Sequence, residues 1–354
     1  MKPSYQREFT NRVFSNPYSE TNPNGIFQMG LAENKLMHPE LSAYITSHVS
    51  VTSHMLTYND GPTGSPSLHS ALASFINNTW KPEPNDPVKS EHIAILNGVC
   101  SAIDALAFCI AEPGEGVLIA QPIYAGFLGD FEDRAGVKVV PVPMKGVGVE
   151  SLEAVGRHEE ALLNAREEGV EVKGLLLSNR QNPLGTCYER EVLVGYLRLC
   201  EKYKIHLIRI SAQTAFGSEL SSHSTTQAST KQSPPWRNSP SPRPSPNKHG
   251  LPSSLTTSDL CTSILAEVNI PYISSNCGPF IWIGLRAFLK EKTIAGERII
   301  ADKMLECGVW LATGEVFVSE EPGWFRITFA VPESELRFGI DRLKKALAPL
   351  GAIL

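Results

Sequence analysis

Three stretches of this chain carry side chains suited to holding an anionic small molecule. Asn182 stands in the turn Asn182-Pro183-Leu184-Gly185, shortly after an unbroken apolar run from Leu175 to Leu177. Asn97-Gly98 precedes a helix expected to start near Ser101. Small residues at a strand-to-helix turn let backbone N–H groups approach an anion, and the helix dipole favours the negative charge. Ser101 would serve equally as an N-cap, and the two roles are compatible. The pattern is not a P-loop, since GxxxxGK[ST] is missing. Arg326 interrupts the apolar alternation Trp324 to Val331. An arginine there either pairs with a buried carboxylate or offers its planar fork to a carboxylate ligand.

The elements that must position these groups read as strand, helix, strand over residues 174–210. The run Leu175–Leu177 lacks alternation, which predicts a strand buried on both faces. Val192, Leu193, Tyr196, Leu197, Leu199 and Cys200 fall along one side of the helix that follows, and Ile205–Ile210 is the next strand. Short connections of this kind imply a right-handed crossover in a parallel sheet. Ligands in such sheets sit beyond the carboxyl ends of the strands, here Asn182 and whatever follows Ile208. Further strands are expected at Ile93–Leu96, Val117–Ala120 and Val137–Val142, with helices over Ser67–Asn78 and residues 150–168. The charged face of the latter needs no function beyond solvation. From Leu260 the pattern is helix, strand, turn, strand, then a helix over 286–306, a strand Val309–Leu311, the strand containing Arg326, and a helix announced by Pro332-Glu333-Ser334-Glu335-Leu336.

Composition narrows the function classes. The 354 residues allow one large domain with a smaller companion, and 42% apolar with 19% charged residues is ordinary for a globular protein. A net charge of −5 without a basic stripe argues against nucleic-acid binding. No apolar run approaches the ~20 residues needed to span a bilayer, and the polar start of the chain has no signal-peptide core. Seven scattered cysteines without a CxxC pair fit reduced thiols better than disulfides or zinc. These features lead us to expect a soluble, cytoplasmic protein.

The segments NPNGIFQMGLAENKL (22–36), TYNDGPTGSPSLHSAL (57–72) and NPLG (182–185) together resemble the fold-type-I pyridoxal-phosphate enzymes. The resemblance is to the 1-aminocyclopropane-1-carboxylate (ACC) synthase-like aminotransferases, including fungal relatives in secondary metabolism, and it covers roughly residues 17–208 and 262–350. It implies an α/β fold with a mainly parallel large domain and a small α+β domain. The expected division is an arm and part of the small domain at 1–50, the pyridoxal-phosphate domain at 51–208, and the small domain again at 261–354. It also implies a homodimer acting on a small α-amino acid. Val99, Cys100 and Ser101 match the family's phosphate cup, and Tyr58 the tyrosine that reaches the partner's cofactor phosphate. Tyr124 matches the residue that stacks on the pyridine ring; without the resemblance it reads as core. Asn182 matches the hydrogen-bond donor to the cofactor's phenolic oxygen, although an asparagine in such a turn also serves structure alone. Glu33 matches a substrate-pocket position, or else favours the N-terminus of the next helix. Arg326 matches the arginine that holds the substrate carboxylate.

Between the matching regions the pattern breaks. Counting from Asn182, the family's S-D-E-I-Y motif should place its aspartate at Ile210 and its tyrosine at Gln213. An isoleucine cannot pair with a protonated pyridine nitrogen, and that pairing is what makes the ring an electron sink. Residues 221–260 hold eighteen serines or prolines, and there is no acidic residue between Glu219 and Asp259. That composition predicts a disordered linker over 209–260. The cofactor-binding lysine motif S-x-x-K-x-x-G-x-R is not present; Ser245-Pro246-Asn247-Lys248 is its nearest echo, and Lys231 a weaker one. The expected function is a pyridoxal-phosphate-dependent aminotransferase-like enzyme, with carbon–sulfur lyase or ACC synthase-type elimination sharing the same parts. The alternative is a catalytically inactive homologue. A loss this abrupt, with both flanks intact, is also the trace of a shifted reading frame.

Overall fold

The unbroken apolar runs become interior strands, and the alternating ones become strands with one face on a core. The computed structural model describes residues 5–58, 60–61, 63–211 and 254–351. Lys231, Gln213 and Lys248 therefore lie outside the described residues, as does the 221–253 part of the Ser/Pro-rich stretch. In chain order the elements are α1 (Tyr5–Ser15), β1 (Phe27–Gln28), α2 (His38–His48), α3 (Pro66–Trp80), α4 (Gly98–Ile110), β2 (Gly116–Ala120), α5 (Gly126–Glu132), β3 (Lys138–Val142), α6 (Leu152–Glu167), β4 (Val172–Ser178), α7 (Arg190–Tyr203) and β5 (His206–Ile210). They continue with α8 (Ser254–Glu267), β6 (Tyr272–Ile273), β7 (Phe280–Gly284), α9 (Ile294–Glu306), β8 (Val309–Trp310), β9 (Ala312–Thr313), β10 (Trp324–Thr328) and α10 (Glu333–Leu347). The described chain divides into two compact units, one of residues 5–36, 103–211 and 254–351, the other of residues 37–102.

In the first unit, β3, β2, β4 and β5 lie side by side in that order and all run parallel. Leu175 stands opposite Leu118 on one side and Leu207 on the other. Successive residues of β4 feed opposite cores. Leu175 and Leu177 pack with Val192, Tyr196 and Leu199 of α7, while Leu176 packs with Ile103 of α4 and Phe127 of α5. Each such leucine contributes about 1.5–3 kcal/mol on full burial. This two-sided covering is why the run shows no alternation.

The same unit contains an antiparallel sheet in the order β6, β7, β10, β9. Here the period is two. Phe325 and Ile327 of β10, with Ile281 and Ile283 of β7, enter the core under α8, α9 and α10. Arg326 and Thr328 therefore point to the opposite face. Across that face runs the arm: β1 pairs in parallel with β8, and Thr328 N–H donates to the Met29 carbonyl (2.8 Å). Gly30 is required there, since a Cβ would sit 2.9 Å from the Ala312 nitrogen and 3.0 Å from the Trp310 ring.

Several sequence expectations shift. Residues 93–96 form no strand, because extended backbone without a neighbouring ladder leaves its polar groups unpaired, and no described strand lies beside them. The helix expected near Ser101 starts at Gly98, so Ser101 is not its cap; the Ser101 hydroxyl donates to the Asn97 carbonyl at 3.1 Å. The helix expected over 286–306 begins only at Ile294, where the Thr293 hydroxyl caps it by accepting from Gly296 N–H (3.1 Å). The Ser/Pro-rich stretch ends as helix, since α8 starts at Ser254. α10 opens behind Pro332 without a side-chain cap, its first turn carrying Glu333 and Glu335 against the dipole.

In the second unit, α3 is capped by the Ser65 hydroxyl, which accepts from Leu68 N–H (3.1 Å), while α2 buries none of its residues. None of the seven cysteines forms a disulfide. Among the described residues no helix is long and apolar enough to cross a membrane, and no cluster of three metal-binding side chains occurs.

Candidate functional site

The turn after β4 brings Asn182 to the carboxyl end of the parallel sheet, where the strand–helix–strand reading placed it. Gly185 has φ +70°, and a Cβ there would meet the Phe280 carbonyl and Ser275 at 2.8 Å. Only glycine fits both demands. Gln181 is almost wholly buried and ties this turn to the neighbouring loop, its Nε2 donating to the Pro122 carbonyl (3.0 Å) while its Oε1 accepts from Leu184 N–H (2.8 Å). Tyr124, Ser178, Gln181, Asn182 and Tyr188 line one cavity at the ends of β2 and β4. Tyr124 is 36% exposed and stands edge-on to Phe127 at 5.2 Å, so it is not the core residue that its setting alone suggested.

Arg326 closes this group. Its Nη1 donates to Asn182 Oδ1 at 2.7 Å, and its Nη2 donates to the Gly30 carbonyl. The guanidinium carbon lies over the Phe280 ring at 5.0 Å and over the Phe317 ring at 4.9 Å from the ring centres. Each such contact contributes about 0.5–2 kcal/mol. Arg326 is only 5% exposed, and burial lowers it from its ordinary value of 12.5 to about 10. Among the described residues no carboxylate pairs with it, and its Nε–H is buried without a partner. The alternative of a buried carboxylate partner is therefore not what the fold supplies. Taking one charge out of water costs several kcal/mol unless an opposite charge meets it. A ligand carboxylate would provide that charge through bonds stronger than those between neutral groups.

The other candidate residues fall elsewhere. Glu33 is exposed in the arm, and α2 begins only at His38, so it does not cap that helix; its neighbour Asn34 makes the local turn by accepting from Leu36 N–H (3.1 Å). Tyr58 is 98% exposed, and Val99 and Cys100 are also exposed; with Ser101 they belong to the second unit. Ile210 ends β5, its carbonyl accepting from Asn179 N–H (2.8 Å) and its side chain buried with Ile119, Ile123 and Phe127, which also line the cavity. Residue-by-residue reading missed Gln181, Phe280 and Phe317. The only local signal was the position of Gln181 beside Asn182; the two phenylalanines meet Arg326 through tertiary packing alone.

A parallel four-stranded sheet covered by helices, joined to an antiparallel sheet that carries Arg326, is the architecture of the fold-type-I aminotransferases. An archaeal alanine:glyoxylate aminotransferase superposes with a TM-score of 0.70 at 17% identity, covering 99% of this chain and 96% of its own. The profile of the family Aminotransferase class I and II matches residues 28–227, and the chain belongs to that family, whose enzymes depend on pyridoxal phosphate. A mouse protein described as probable inactive ACC synthase-like protein 2 is 28% identical over 395 residues, covering 94% of this chain and 67% of that protein. The apple (Malus domestica) ACC synthase is 29% identical over 412 residues, covering 93% and 84%.

The described residues fit that cofactor in part. An aromatic face at Tyr124 and an amide at Asn182 suit a ring with a phenolic oxygen. The cavity's apolar wall of Ile119, Ile123 and Phe127, with Ile210 in the same buried cluster, does not suit a protonated ring nitrogen, which needs an anion.

Proposed function

We propose that this protein recognises a free α-amino acid through its α-carboxylate, as a pyridoxal-phosphate-dependent enzyme of the ACC synthase-like aminotransferase group. The observation that carries the reading is Arg326: a buried guanidinium held by neutral acceptors and in contact with two aromatic rings, with no acidic partner among the described residues. Arg326 would fix the carboxylate, Asn182 would orient the fork, and Tyr124 would offer its ring face to the cofactor. Val99, Cys100, Ser101 and Tyr58 are assigned to the cofactor phosphate by their match to the family pattern, and Glu33 to the substrate pocket. When bound, the cofactor supplies an electron sink for chemistry at the α-carbon. A homodimer in the cytoplasm, serving amino-acid-derived secondary metabolism, completes the proposal.

A second reading rests on Ile210. Without an anion for the ring nitrogen, the chain would bind an amino acid and not turn it over, in keeping with the word inactive in the mouse relative's description.

Two measurements separate the readings. The twenty protein L-α-amino acids and their carboxamides are titrated calorimetrically into the full chain, with and without pyridoxal phosphate. At least one acid should bind well above its amide, and no such preference for any of the twenty would sink both readings. The chain with pyridoxal phosphate is then examined for a visible absorption band, borohydride fixation with peptide mapping, and amino transfer to 2-oxo acids. Fixation on one lysine together with turnover supports the enzyme; binding without either supports the inactive homologue.

A further inference from the structure

Glu297 is a wholly buried carboxylate in α9, away from the sheet ends where the cavity lies. Burial raises its pKa, and two backbone donors oppose that rise. Its Oε1 accepts from Glu315 N–H (2.7 Å), and its Oε2 accepts from Gly323 N–H (2.5 Å). Those two donors lie in the segment that joins β9 to β10. One side chain in helix α9 thus ties residues 315 and 323, the second and the last of that ten-residue connection.

That connection carries Phe317. Its ring is 2% exposed, stands edge-on to Trp282 at 5.3 Å, and forms one of the two aromatic faces on the Arg326 guanidinium. The Phe317 carbonyl accepts from Ile123 N–H (2.5 Å), next to Tyr124, and the Val318 carbonyl accepts from Gln121 Nε2 (2.7 Å). The outer side of the segment is pinned separately: Glu320 accepts from the N–H groups of Met144 and Lys145, at 2.7 and 2.9 Å, and Arg298 pairs with Glu315. A short 3-10 turn, Glu315–Phe317, has little intrinsic stability. Its place against Arg326 depends on these fixed points and on the Gly314 N–H bond to the Trp324 carbonyl (2.7 Å), and Glu297 supplies the side-chain anchors at residues 315 and 323.

We propose that Glu297 is a positioning residue for the carboxylate site, clamping the 315–323 segment so that Phe317 is held against the Arg326 guanidinium. It touches neither ligand nor cofactor and acts through Phe317. This inference rests on the reading of Arg326 as the α-carboxylate anchor. A glutamine at 297 keeps the size and one acceptor but turns an N–H₂ toward a backbone donor, so one end of the segment is released. A leucine at 317 removes the aromatic face while both Glu297 bonds remain.

The test uses the full chain and the same twenty amino acids and carboxamides, read as the ratio of amide to acid dissociation constants for the tightest-binding acid. Glu297→Gln and Phe317→Leu are each expected to reduce that ratio about tenfold. The double variant should be no worse than either single one, because both act through one contact. A global loss of stability would not move the ratio selectively, so the measurement is made well below the unfolding temperature. Arg326→Gln is the reference. If it loses the preference for acid and Glu297→Gln retains it, the inference fails while the carboxylate reading stands. If Arg326→Gln itself binds like the wild type, the carboxylate reading fails. Should Glu297→Gln not fold, Phe317→Leu decides: wild-type discrimination in that variant overturns the proposal.

Discussion

Arg326 Nη1 donates to Asn182 Oδ1 at 2.7 Å, a bond that joins residues 144 positions apart and welds the antiparallel sheet to the turn at the end of the parallel one. The Asn182 amide carries no charge to match that of the arginine. The neutral amide holds one arm of the fork without neutralising its positive charge, which on the proposed reading is left for a ligand carboxylate.

That charge gives the first prediction. Arg326→Gln should weaken the best-bound amino acid by about 3 kcal/mol, on the order of a hundredfold in dissociation constant. Arg326→Lys should recover only part of the loss, since an ammonium cannot bind a carboxylate through two parallel bonds. Titration calorimetry on folded variants reads both. Equal affinity in all three proteins would mean that the guanidinium is structural.

The connection after β4 gives a second. Gly185→Ala combines a left-handed backbone with contacts of 2.8 Å to the Phe280 carbonyl and Ser275, so it should cost at least about 2 kcal/mol of stability. Urea unfolding measures it. A variant as stable as the wild type would show that the turn relaxes freely and does not fix Asn182.

His158 provides a pH prediction. It is fully buried between α6 and α7, and its Nδ1–H donates to the Ala154 carbonyl (2.8 Å). Desolvation lowers its pKa from 6.5 to about 4, the Ala154 bond opposing the shift. The folded value lies below the unfolded one, so the unfolded chain takes up the proton first as pH falls. Stability from this group is complete above pH 6.5 and is lost progressively between pH 6.5 and 4, by about 3 kcal/mol in all. Urea melts at several pH values should show the wild type losing more stability over that window than His158→Gln. Parallel pH profiles would refute the assignment.

Ile210→Asp tests the apolar wall. A lone carboxylate among Ile119, Ile123 and Phe127 should cost about 3–5 kcal/mol in thermal or urea unfolding. A loss below about 1 kcal/mol would mean that water or a cation already reaches this position, and the objection to a charged ring nitrogen there would weaken.

Much of the fold was legible because its signals are local. The run Leu175–Leu177 announced a doubly buried strand, Asn182-Pro183 with Gly185 announced the turn after it, and the spacing of Val192, Tyr196, Leu199 and Cys200 announced one face of α7. The strand expected at Ile93–Leu96 failed for a physical reason that no window of sequence contains: a strand exists only if another strand lies beside it.

The sequence by itself determined the parallel sheet, the placing of Asn182 at the strand ends, the membership suggested by its motifs and the absence of an acid at Ile210. These follow from hydrophobic period, turn chemistry and residue identity, which act over a few positions. Only the tertiary structure decided that Arg326 meets an amide, a carbonyl and two aromatic rings in place of a carboxylate, and that Glu297 reaches the ends of the segment carrying Phe317. Those contacts join residues far apart in the chain, and a buried charge takes its meaning from whatever the fold packs against it.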